Sequence, residues 1–83
     1  MARMNKLSIR VGRDRIIEVL KPHLGHDTAM ERANNIAQAL VLGAGSPTDV
    51  ALDMLRHAPL NDKLQIAVEV DRAWTHGTVA KAS

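Results

Sequence analysis

The chain contains no cysteine, no phenylalanine and no tyrosine, and a single tryptophan, Trp74, is its only aromatic residue. Without cysteine, neither a disulfide framework nor a thiolate metal site can hold it together. Without a supply of rings, its core must be built from Ala, Leu, Ile, Val and Met, a palette that favours close helix-to-helix packing over a large β-sandwich. No apolar run approaches the ~20 residues that a membrane-spanning helix requires. The opening Met1-Ala2-Arg3-Met4-Asn5-Lys6 is too short and too polar for a secretory leader. These absences fit a cytoplasmic protein without a membrane association.

The 83 residues suffice for one domain, with residues 1–5 and 77–83 expected to be disordered at its two ends. A chain this short buries only about 60% of the surface its unfolded form exposes, so it is marginal as a monomer. Oligomerisation is the remedy that remains when disulfides are excluded.

Charge is unevenly placed. Residues 1–15 hold Arg3, Lys6, Arg10, Arg13 and Arg15 against Asp14, a net +4 in a chain whose total is +2, which leaves −2 for the rest. A basic start on a slightly acidic body is the asymmetry expected where one end meets a polyanion, or it is a solvated tail.

Lys6-Leu7-Ser8-Ile9-Arg10-Val11 alternates between polar and apolar. The period of two predicts a short strand with Leu7, Ile9 and Val11 inward and Lys6, Ser8 and Arg10 outward, broken by Gly12. A first helix is expected over about 13–21, on the spacing of Ile16, Ile17, Val19 and Leu20, with Pro22 and Gly25 closing it. Thr28 and Glu31 make a capping-box pattern for a second helix. Its apolar face is Met30, Ala33, Ile36, Ala37 and Leu40, and Gly43-Ala44-Gly45 ends it. Ser46, Pro47 and Asp49 are cap, first position and capping partner of a third helix, stopped by Pro59.

From Asn61 the pattern is double. Gln65, Glu69, Arg72 and His76 fall on one polar stripe at helical spacing, whereas Leu64, Ile66, Val68 and Val70 alternate like a strand. Length, the Asn61-Asp62 start and the alanines favour a helix. The architecture expected is therefore mostly α: a short N-terminal strand followed by three or four short helices, paired as a homodimer.

No group of residues has the makings of a reactive centre. His23 and His26 stand near Asp27 without a third ligand at metal-binding spacing. Asp49 and Asp53 lie four apart, but Asp49 suits a helix first turn and Asp53 can pair with His57. Gly43-Ala44-Gly45-Ser46 lacks the Gly-Lys-Ser/Thr ending of a phosphate loop. A non-enzymatic protein without a cofactor or a metal is expected. Trp74 is either a core anchor or a binding hot spot.

The strand at 6–11, the helix with Ile16-Ile17-x-Val19-Leu20, the turn at Gly25 and the capped helix from Thr28 together resemble the ribbon-helix-helix family of DNA-binding regulators. The resemblance spans residues 6–42. It implies a dimer whose paired strands enter the major groove, with Lys6, Ser8 and Arg10 at base edges, Arg13 beside them and the backbone near Thr28 on a phosphate. A helix-turn-helix built on Ile36-Ala37-Gln38-Ala39-Leu40 and Thr48-Asp49-Val50 would turn acidic residues towards phosphates. The other class is a homo-oligomeric protein-binding module, an adaptor, antitoxin-like factor or inhibitor. It would act through the apolar C-terminal segment, and its interface would draw on Leu7, Ile9, Val11, Ile66, Val70 and Trp74.

Overall fold

The computed structural model describes residues 6–82. They form four helices: α1 (Lys6–Leu24), α2 (His26–Val41), α3 (Pro47–Met54) and α4 (Lys63–Ala82). Each helix packs on the next in the chain, and α4 closes the ring by packing on α1. The expectation of a mostly helical chain holds. The N-terminal strand does not form, because α1 begins at Lys6 and runs through the whole of the alternating segment.

The reason lies in which residues are buried. Ser8, Gly12, Ile16 and Leu20 are the buried positions of α1, four apart, so they form one stripe along a helix. Leu7 is 51% exposed, and Ile9 and Val11 are half-buried. Six alternating residues satisfy a strand locally, but the stripe of small and aliphatic side chains continues for three more turns and packs against two neighbours. Packing overrides the local pattern.

The stripe begins with small residues for a second reason. Gly12 faces the Trp74 ring, and a Cβ built on Gly77 would lie 2.9 Å from the Gly12 Cα and 3.0 Å from the Arg15 Cδ. The backbones of α1 and α4 are thus in direct contact. Further along, Pro22 and His23 share a groove with Gln65, Ile66 and Glu69. α1 and α4 are therefore antiparallel, with the start of α1 beside the end of α4. Residues Gly77 to Ala82, expected to be disordered, continue α4, and Gly77 and Thr78 are buried. Residues 1–5, also expected to be disordered, lie outside the described residues, as does Arg3.

The connections follow from glycine and proline. Pro22 sits exposed in the last turn of α1 without ending it. A single residue, Gly25, separates α1 from α2, with φ +83° and ψ 166°. That corner leaves no room for the expected capping box: α2 starts at His26, Gly25 is its cap, and no side chain caps the helix. At its other end α2 closes as foreseen. The Ala44 amide donates to the Ala39 carbonyl at 3.0 Å and the Gly43 amide to that of Leu40 at 3.1 Å, with Gly43 at φ +79°. This pair of bonds is a Schellman motif.

Ser46 caps α3 as its sequence predicts, accepting from the Asp49 amide at 3.2 Å, with Pro47 in the first position. Thr48 on α3 donates to Asp71 Oδ2 on α4 at 2.7 Å. The core gathers Ile16 and Leu20 from α1, Ile36 and Leu40 from α2, Val50 from α3 and Leu55 just after it, and Ile66, Val70 and Trp74 from α4. Five alanines fill the spaces between them, which lets the helices approach closely without rings.

Candidate functional site

On α1, residues 6, 10, 13, 17 and 21 fall along one edge, turned away from the buried stripe. Lys6, Arg10, Arg13 and Lys21 put four cations on that edge. Their neighbours divide it in two. In the second half, Lys21 lies 3.6 Å from Glu18, a pair that neutralises itself. In the first half, Arg13 reaches Asp14 at 3.2 Å, while Lys6 and Arg10 are exposed and make no ion pair with another described residue.

Lys6, Leu7, Ile9, Arg10 and Arg13 line one open groove. The first turn of α1 holds no acidic residue. The positive end of the helix dipole and the cationic side chains therefore add, an arrangement that isolated helices disfavour and that an anion relieves. Residues 6–14 carry a net +2. The aliphatic side chains Leu7 and Ile9 flank the cations, so the groove offers charge beside apolar surface.

The residues singled out from the sequence are dispersed by the fold. Lys6, Arg10 and Arg13 come together, on a helix and not on a strand. Ser8, expected outward, is buried at 1% exposure. Thr28 is exposed in the first turn of α2, beyond Gly25. It stands at the far end of α1, whose 19 residues span about 28 Å. Ile66, Val70 and Trp74, assigned to an interface, are core residues. Leu7 and Ile9 line the basic groove, Val11 lies outside it, and the three do not form an alternating face.

Arg15 belongs to a different edge from Arg10, which no local pattern in the sequence signals. Its methylene stem lies against Gly77 and covers the place where α1 and α4 touch. Only a helical register for residues 6–15 would have separated the two arginines.

Among the described residues no group of three His, Asp or Glu residues is placed to hold a metal. Asp49 and Asp53 are exposed on α3, and Asp53 lies 4.0 Å from Arg56, not in a pair with His57. No helix among the described residues is long and apolar enough to cross a membrane. No family model matches the chain, and comparison with characterised proteins and with solved structures finds no match either.

Proposed function

We propose that this protein is a non-enzymatic, cytoplasmic nucleic-acid-binding domain that docks on duplex DNA through the first half of α1. The observation that carries this reading is the groove of Lys6, Arg10 and Arg13 at the positive end of a helix whose first turn holds no acid. A basic stripe along one exposed helix is the electrostatic footprint of phosphate binding. Lys6 and Arg10 are free to leave water for phosphate oxygens, since neither is held by a carboxylate of another described residue. An α-helix fits the major groove, where Leu7 offers an apolar contact to a thymine methyl while Lys6, Arg10 and Arg13 reach the flanking phosphates.

The test is retention of a random-sequence duplex DNA in a gel-shift or fluorescence-anisotropy assay at low salt. Three phosphate contacts predict an affinity that falls with salt at a log–log slope of about −2.7. Arg10→Ala is expected to weaken binding and to shallow that slope by about one unit. No retention of duplex DNA by the wild-type chain at low salt would end this reading.

A further inference from the structure

α4 buries one side against α1 and α3 and leaves the opposite side uncovered. Leu64 is 63% exposed and Val79 61% exposed on that side, a large share for apolar residues of a small chain. Val68 and Thr75 lie between them, half-buried and exposed respectively. The four positions are separated by four, seven and four residues, which is one continuous stripe on a helix. Beside it run Gln65, Glu69, Arg72 and His76, all exposed, at steps of four, three and four.

Both rows read the same in either direction. A second α4 laid antiparallel across the first would therefore put Leu64 on the partner's Val79 and Val68 on the partner's Thr75. In the flanking row, the same operation puts Glu69 opposite the partner's Arg72 and Gln65 opposite the partner's His76. The centres of the two rows differ by one residue, as those of the core and flanking rows of an antiparallel helix pair do. A two-fold interface has to be complementary to itself, so opposite charges must sit at symmetric positions. Glu69 and Arg72 meet that condition, and neither is ion-paired with another described residue.

We infer that the uncovered face of α4 is the interface of a two-fold homodimer in which α4 packs antiparallel on α4 of a second copy. Two adjoining grooves run along this face, one lined by Leu64, Val68 and Glu69 and the other by Thr75, His76 and Val79, with Arg72 common to both. Leu64 of each chain seats in the second groove of the other. A partner of different sequence would need no palindromic spacing, and a heterologous contact would leave Glu69 and Arg72 unmatched. The interface uses none of the basic residues of α1, so it stands or falls separately from DNA binding.

The experiment is sedimentation equilibrium of the full chain from micromolar to millimolar concentration, with circular dichroism to verify folding. The wild type is expected at twice its 9.0 kDa chain mass. Leu64→Glu and Val79→Glu, both at exposed positions, are each expected to give a helical monomer. Glu69→Arg and Arg72→Glu should each dissociate the dimer through like charges, and the double variant Glu69→Arg/Arg72→Glu should restore it.

Orientation is read by cross-linking, since the chain has no cysteine of its own. Leu64→Cys/Val79→Cys is expected to form disulfide-linked dimers, and Leu64→Cys alone is not. Within one chain the two positions are about 22 Å apart, far beyond disulfide reach. A monomeric wild type at millimolar concentration, a dimer that survives Leu64→Glu, a charge-swapped double variant that stays monomeric, or ready cross-linking of Leu64→Cys alone each overturns the proposal.

Discussion

Gly12 and Gly77 bring the backbones of α1 and α4 into contact, and each position excludes a side chain for its own reason. A Cβ on Gly77 would lie 2.9 Å from the Gly12 Cα and 3.1 Å from its nitrogen, atoms that cannot move without moving α1. A Cβ on Gly12 would lie 2.7 Å from the Trp74 ring, which is itself buried. Alanine at either position gains up to about 1 kcal/mol of helix propensity and suffers overpacking of about 1–3 kcal/mol. Gly77→Ala is thus expected to destabilise by about 1–2 kcal/mol in urea denaturation. Gly12→Ala should do the same and also shift the emission of Trp74, the only tryptophan. A raised midpoint for Gly77→Ala, the propensity gain alone, would show that the two helices are not in contact there.

Gly25 is required for a different reason. No atom lies within 4 Å of a Cβ built on it, so a side chain would meet no obstacle. Its φ of +83° with ψ of 166°, however, belongs to a region essentially restricted to glycine. Gly25→Ala and Gly25→Asn are both expected to cost about 1–3 kcal/mol. Asparagine should not rescue this site, because its tolerance extends only to the left-handed helical region. At Gly43, which ends α2 in a Schellman motif, asparagine should be accepted with a much smaller loss. Thermal denaturation of the two asparagine variants side by side checks this, and equal losses would contradict it.

Thr48 and Asp71 tie the shortest helix to the longest. The bond is 2.7 Å, and Thr75 donates to the other carboxylate oxygen at 3.2 Å. Hydrogen bonds to a charged partner contribute about 1.5–3 kcal/mol, and partial exposure places this one near the lower end. Thr48→Val keeps the shape and removes the donor, so it should cost about 1.5 kcal/mol. Combined with Asp71→Asn in a double-mutant cycle, it should show coupling of at least about 0.5 kcal/mol, whereas additive losses would mean that the bond is not made.

What the sequence showed of this fold was local. Ser46, Pro47 and Asp49 start α3 as read, and Gly43 ends α2 as read, because caps are decided by a few neighbouring residues. The strand at 6–11 failed because an alternation of six residues carries less weight than a stripe of four-residue steps extending to Leu20. Gly12 reads locally as a strand breaker, whereas its lack of a side chain serves the contact with Trp74. The capping box at Thr28 failed because Gly25 turns the chain in one residue and starts α2 early. Arg10 and Arg13 were legible as cations, but their common edge was not, since it exists only in helical register. The polar row from Gln65 to His76 was visible. Its apolar neighbour, Leu64 to Val79, was hidden by the even spacing that made the segment resemble a strand.

Arg10 and Arg15 separate the two roles that a cation on α1 can have. Arg10 is exposed and lines the basic groove. Arg15 lays its stem along Gly77, where its methylenes shield the helix contact from water. Long cationic side chains stabilise through such stems as well as through charge. Arg10→Ala is therefore expected to leave the denaturation midpoint unchanged within about 0.5 kcal/mol and to weaken DNA binding several-fold. Arg15→Ala should show the reverse, a loss of about 0.5–1 kcal/mol in stability with a smaller effect on binding. Arg15→Met retains most of the stem without the charge and should recover the stability. If both alanine variants lost DNA affinity equally and neither lost stability, binding would follow net charge alone and the groove of α1 would have no special part in it.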